Sequence, residues 1–316
     1  MRALLLALVA ATALALPAKA EDVTVAVTAI VEHPALDAAR DGVKAALAAA
    51  GYEEGKNLKF VYETAQGNPG TAAQIARKFV GDEPTVIVPI STPSAQAVVA
   101  ATHDIPVVFT AVTDPVGAQL VKNLDKPGGN VTGLSDMSPV ADHIKLIQEI
   151  TPNAKKIGFV YNTAEANSIS TLAAMKAEAQ KAGMTIVESV ATKSSEVQGA
   201  TRALIGRVDV IYIPTDNTIV SALEAAVGVA EEAKVPLYAG DTDSVVRGAA
   251  SVSFNYFDVG KQTGEIVVRV LKGESPGDIP VRIATGSDLF VNKKAAAKMG
   301  VTLPEELVKR AKKVIE

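Results

Sequence analysis

"PTVIVPISTPSAQAVVAA" (residues 84–101) and "VDVIYIPTDNTIVSALEAA" (residues 208–226) follow one plan. Each opens with a β-branched apolar run, places a proline near its end (Pro89, Pro214), passes through a polar stretch and enters an alanine-rich helical pattern. A short apolar run that does not alternate with polar residues reads as a strand covered on both faces, the habit of parallel sheets. The correspondence extends outward. "IPVVFTAVTDPVGA" (105–118) is matched by "VPLYAGDTDSVVRGA" (235–249), with Pro106 against Pro236, and Gly51 and Gly183 end corresponding helices. The offset stays near 125 to 132 residues, so one α/β unit is used twice, not a solenoid of short repeats.

Within the first unit the pattern predicts strands at Val23–Val31, Leu58–Tyr62, Thr85–Ile90 and Pro106–Phe109. Helices are expected at Pro34–Ala50, from about Gly70 to Val80, and from Pro93. "KKIGFVYNTAEANS" (155–168) restarts the series with a strand, followed by a helix up to Gly183. Such βαβα alternation predicts an α/β fold of two Rossmann-like lobes, each with a parallel sheet. The chain then continues through "SVSFNYFDVGKQTGEIVVRVLKG" (251–273) and "IPVRIATGSDLFVN" (279–292), a further helix and strands that must join one lobe or the other. Segments 133–136, 253–255 and 284–287 are where the chain is expected to cross between lobes, around which the two can hinge. The expected division is 21–132 plus about 255–284 for the first lobe, and about 133–254 plus 285–316 for the second. "PEELVKRAKKVIE" (304–316) reads as an exposed amphipathic helix started by Pro304.

Residues 1–20 are set apart. Arg2 forms a short basic region, Leu4–Leu16 is continuously apolar, and Ala18-Lys19-Ala20 is a small-x-small site. This is the layout of a cleaved secretory signal, and its apolar run is too short to span a bilayer. The expected mature chain begins at Glu21, exported and soluble. No later stretch approaches the roughly 20 apolar residues of a transmembrane helix. Without Arg2 and Lys19, 29 basic residues face 35 acidic ones, a net charge of −6, which argues against nucleic acid as a partner. The absence of cysteine excludes disulfides, thiolate metal sites and a lipid-modified N-terminal cysteine.

In an open parallel sheet, ligands bind beyond the carboxyl ends of the strands. That rule selects Glu32-His33-Pro34, Gln66-Gly67-Asn68, Ser91–Ser94 and Thr110–Asp114 in the first unit. In the second it selects Asn162–Ser168, Asp216-Asn217-Thr218 and Asp241–Ser244. The hydroxyls of Ser91, Thr92 and Ser94 stand at a helix mouth, where free N–H groups and the helix dipole favour an anion. They suit a carboxylate cradle, and equally plain helix capping. At the matching place the second unit offers Asp216 and Asn217. A small zwitterion held between the lobes would set its carboxylate on Thr92 and its ammonium on Asp216 or Asp241, unless Asp216 is simply an N-cap.

Enzyme readings find little support. The chain has three histidines: His103 at a helix end, His143 in the helix Pro139–Ile150 and reading as a surface residue, and His33 in a cleft loop. No nucleophile–base–orienter set surrounds His33. There is no G-x-S-x-G elbow, no Walker loop, no G-x-G-x-x-G after the first strand and no metal-ligand spacing, so neither cofactor nor metal is expected.

"VEHPALDA", "VVFTAVTDPVGAQLV", "PGGNVTGLSD", "PNAKKIGFVYNTAEANS" and "VDVIYIPTDNTIVSA" together resemble the ABC-transporter substrate-binding family that includes tryptophan- and other aromatic-amino-acid-binding lipoproteins. The resemblance spans essentially the whole mature chain. It implies a type I periplasmic-binding-protein architecture with three crossover segments, capture of a small amino-acid-like ligand by closure, and delivery to an inner-membrane ABC permease powered by its ATPase. By motif it implies a pocket at Thr92 and its neighbours, at Glu165, Asn167 and Ser168, and at Asp216 and Asn217. Lacking a lipobox cysteine, this chain would be a free periplasmic protein. With 4% aromatic residues and no tryptophan it leaves the ligand open among aromatic and aliphatic amino acids and other small carboxylates. Tyr161, Phe109, Tyr238, Phe254 and Tyr256 are the available aromatic walls, with core packing the plainer role for Phe109 and Phe254. A receptor for a membrane sensor, or a secreted enzyme, are the alternatives.

Overall fold

The computed structural model describes residues 22–248 and 250–316, so the expected signal segment lies outside the described residues. The first unit runs β1 (Val23–Ala29), α1 (Pro34–Ala49), β2 (Leu58–Thr64), α2 (Pro69–Asp82), β3 (Val86–Ile90), α3 (Thr92–Ala101), β4 (Val107–Val112) and β5 (Val131–Ser135). The second begins with α4 (Val140–Ile150) and continues β6 (Lys156–Tyr161), α5 (Ala166–Lys181), β7 (Thr185–Val190), α6 (Val197–Arg202) and β8 (Val210–Ile213). It goes on through α7 (Asn217–Val220), α8 (Leu223–Ala233), β9 (Leu237–Ala239) and β10 (Ala250–Phe254). The chain then returns to the first lobe with α9 (Tyr256–Leu271) and β11 (Arg282–Ile283). It finishes on the second with β12 (Ser287–Asn292), α10 (Lys293–Lys298), α11 (Glu305–Arg310) and β13 (Lys313–Ile315).

The first lobe is built on one parallel sheet in the order β11-β5-β4-β3-β1-β2, and the second on β7-β6-β8-β9. Strand order therefore repeats as 2-1-3-4 in both units, which is what the paired sequences imply. β3 and β4 are buried at every residue, as strands covered on both faces must be. The order in which strands are added reverses at β1/β3, and right-handed crossovers on either side of such a switch put their helices on opposite faces. Accordingly α1 packs with α9, and α2 with α3. Ligand clefts form at such switch points.

The α1–α9 contact is backbone against backbone. A Cβ on Gly260 would lie 2.0 Å from the carbonyl oxygen of Ala39, and one on Gly42 would lie 2.1 Å from that of Phe257. Those two glycines hold the returning helix against the first lobe. Helix ends follow local chemistry: Pro34 and Pro69 sit in first turns, and Gly51 and Gly183 take left-handed φ values of 89° and 68° just past α1 and α5.

The C-terminus departs from the sequence expectation. Only Glu305–Arg310 is helical; Lys313–Ile315 pairs in parallel with β12 in a three-stranded sheet, β10-β12-β13. The open edge of β12 recruits the alternating "KVIE", and tertiary pairing overrides the helical pattern.

Candidate functional site

β3 delivers the chain to Ser91 at φ 80° and ψ 157°, a conformation residues other than glycine rarely hold. Ala111 is also left-handed, φ 53°, where the pairing of β4 with β5 slips between Phe109 and Val112. Both residues line the same interlobe cavity. α3 begins at Thr92, so Pro93 is its second residue and not its first as expected. Ser91 occupies the N-cap position, yet its side chain caps nothing. Asn68, Asp216, Asn255 and Asn292, by contrast, each accept from a backbone N–H of the helix they start. The hydroxyls of Ser91, Thr92 and Ser94 are buried and have no hydrogen-bond partner among the described residues. Buried polar atoms are almost always paired, so three orphans at one helix mouth leave donors and acceptors open to a ligand. The N–H groups of Thr92 and Ser94 lack intrahelical acceptors by position and add to the donor set.

Facing them are groups from the second lobe and the hinge. Asn167 of α5, Thr215, Asn217 and Val220 around α7, and Asp241 after β9 line the far wall. Asp241 accepts from the N–H and the hydroxyl of Ser244, both at 2.7 Å. Asp136 follows β5 directly, in the first crossover, and Tyr256 opens α9 just after the second. The Tyr256 hydroxyl donates to Asp136 Oδ2 at 2.6 Å and the Thr113 hydroxyl to Oδ1 at 3.4 Å. Burial pushes the Asp136 carboxyl above its usual value, its hydrogen bonds pull it down, and the nearby Asp241 adds to the rise. Burial holds His33 below its usual value, against the carboxylates around it, and its Nδ1 is unpartnered. These groups converge on one interlobe cavity. It sets uncommitted donors and a helix N-terminus against two carboxylates. That polarity suits a molecule carrying an anion at one end and a cation at the other.

Of the residues singled out from sequence, His33, Ser91, Thr92, Asn167, Asn217 and Asp241 line this cavity, with Ser94 buried beside them in the first turn of α3. Asp216 does not line it. Its carboxylate is saturated by the N–H groups of Asn162 and Ile219 and by the Ser168 hydroxyl, so it is the N-cap of α7 and is not free for an ammonium. Glu165 is spent likewise on the backbone N–H groups of Asn217 and Thr218 and on their side chains. With Ser168 committed to Asp216, these three form the frame that holds Asn167 and Asn217 toward the cavity. Asp114 stands outside it, accepting from the Ser170 hydroxyl of α5 at 3.0 Å, a bond between the lobes. Glu32 and Gln66 are exposed and line no part of the cavity.

Sequence reasoning missed Asp136 as a site residue and named Tyr256 only as one of five possible aromatic walls. Asp136 immediately follows β5 and Tyr256 lies two residues past β10, so the same strand-end rule reaches both. Tyr256 is the aromatic wall; Phe109 and Phe254 are core residues, while Tyr161 donates to Glu188 and Tyr238 meets Thr151, both away from the cavity. His143 is not a surface residue: it is 2% exposed, with Nε2 2.6 Å from the Val252 carbonyl and Nδ1 2.8 Å from the Tyr212 hydroxyl.

Comparison with known proteins gives consistent matches along the chain. The family described as ABC transporter substrate binding protein matches residues 24–315. A protein named tyrosine-binding protein from Clostridioides difficile (strain R20291) is 44% identical over 269 residues, 85% of this chain and 78% of that one. A Streptococcus pneumonia structure in complex with L-Trp superposes with a TM-score of 0.90 at 38% identity, covering 93% of this chain and 100% of that one. A ligand-free, open substrate-binding protein from Clostridium difficile gives a TM-score of 0.71 at 40% identity, covering 93% and 99%.

Proposed function

The chain belongs to the ABC transporter substrate binding protein family, whose members bind solutes rather than transform them, and we propose on that premise that it captures a free amino acid, aromatic in side chain, between its lobes. The observation that carries this reading is the trio of orphaned hydroxyls of Ser91, Thr92 and Ser94 across from Asp136 and Asp241. The α-carboxylate takes the hydroxyls and the free N–H groups at the start of α3. The α-ammonium lies between Asp136 and Asp241, where Asp136 joins it to both the first and the second crossover through Tyr256. Tyrosine in one relative's name and L-Trp in another's complex point to the aromatic class. The protein is exported to the periplasm with Glu21 as its first mature residue, and the closed form hands its ligand to an inner-membrane ABC permease driven by a separate ATPase.

The test is to denature purified protein, identify what it releases by mass spectrometry, and titrate the refolded protein with L-tyrosine and L-tryptophan in a calorimeter. One of the two should be released and should bind, and Thr92→Ile, which fills the anion's place with a branched carbon, should abolish that binding without unfolding the protein. If no amino acid is released and neither titrates at millimolar concentration, the reading is wrong.

A further inference from the structure

A second cavity, with an empty volume of about 770 Å³, adjoins the first and shares His33, Ala35 and Val220 with it. Its remaining walls are largely apolar, with Pro34 from the first lobe and Leu223 and Val246 from the second. The polar groups around it are mostly committed. Arg247 pairs with Glu224, the Ser221 hydroxyl donates to the Thr218 carbonyl, and the Ser244 hydroxyl donates to Asp241. Asp243 differs. One oxygen of its half-buried carboxyl, Oδ2, is shielded from water and has no donor. Asp243 lines the cavity, and a ligand there that brings a donor to its carboxylate gains a charge-assisted hydrogen bond.

We propose that this cavity is the side-chain compartment of the site and that Asp243 selects aromatic amino acids carrying a distal O–H or N–H donor, a phenol or an indole, over phenylalanine. The proposal rests on the amino-acid reading given above and names the subclass. With the head group fixed between Ser91 and Asp136, a ring directed past Ala35 and Val220 passes His33 at the junction of the two cavities and enters a space whose far uncommitted acceptor belongs to Asp243. A site built to accept a hydrogen bond discriminates strongly against the analogue that lacks the donor.

The test is calorimetric affinity for L-tyrosine, L-tryptophan and L-phenylalanine in the wild type, Asp243→Leu and Asp243→Asn. The wild type should prefer tyrosine or tryptophan to phenylalanine by about tenfold or more. Asp243→Leu should erase that preference while phenylalanine binds as before, and Asp243→Asn, which keeps an acceptor oxygen, should retain part of it. Val246→Trp, at a residue 53% exposed on the cavity wall, fills the compartment without disturbing the core and should weaken all three ligands. An unchanged preference in Asp243→Leu, or unchanged affinities in Val246→Trp, overturns this assignment while leaving the amino-acid reading intact. Failure of the wild type to bind any of the three overturns both.

Discussion

The hydrogen-bond partners of Asp136 are a phenol and a hydroxyl, both neutral, inside a site where its own carboxyl is raised by burial. An arriving ammonium favours the ionised form, so binding should release a proton when the carboxyl is protonated beforehand, and affinity should fall as pH drops below the raised value. Asp136→Asn should remove that pH dependence and weaken binding by roughly 10- to 150-fold, the worth of a charge-assisted bond; calorimetry in buffers of different ionisation enthalpy counts the proton directly. His143 gives the complementary case in stability. Burial lowers it to about 4, so the folded protein holds it neutral. Its contribution is present above the unfolded value near 6.5 and is lost as pH falls toward 4, reaching roughly 3 kcal/mol. Denaturant titrations at pH 7 and pH 4 should show this loss, and His143→Gln should shrink it. At this scale the site was half legible. Residue type and strand-end position were enough to find Thr92 and Asp241, whereas the commitments of Asp216 and Glu165 depend on partners some 50 residues away, such as Asn162 and Asn217, that no local pattern shows.

Elements carry these side chains, and two of them can be tested as units. α7 exists because Asp216 caps it and Glu165 binds its first N–H groups. Asp216→Ala should therefore cost roughly 2–3 kcal/mol through the lost cap and the stranded N–H of Asn162, and disturb binding only indirectly, through Asn217. Unfolding curves separate that outcome from a direct ligand contact, which would lower affinity at unchanged stability. α9 is held by close approach, and Gly260→Ala must push it away from α1 at a cost of about 1–3 kcal/mol or more. Because Tyr256 begins that helix, the same change should weaken ligand binding, while the exposed substitution Lys261→Ala should not. The element order was readable from apolar runs, prolines and glycines, since buried parallel strands and helix ends leave strong local marks. β13 was not, because its pairing with β12 is decided by an edge far away in sequence.

Across the whole molecule, the proposed ligand contacts come from both lobes and from the crossovers between them, so such a ligand would stabilise the closed arrangement preferentially. Scattering should give a smaller radius of gyration with ligand than without it, and ligand at about 100 times its dissociation constant should add roughly 2.7 kcal/mol of stability. The Asp114–Ser170 bond spans the two lobes, and neither residue lines the cavity. Ser170→Ala should speed ligand release several-fold in stopped-flow measurements and leave the association rate unchanged. The same bond has a practical use. Val116 and Ile169 lie within two residues of its ends, on opposite lobes, and are 43% and 45% exposed. The chain contains no cysteine. Thiols introduced at these two positions would be the sole attachment points for a donor and an acceptor dye, and the pair would turn closure into light, making the protein an optical gauge of free amino acid in solution.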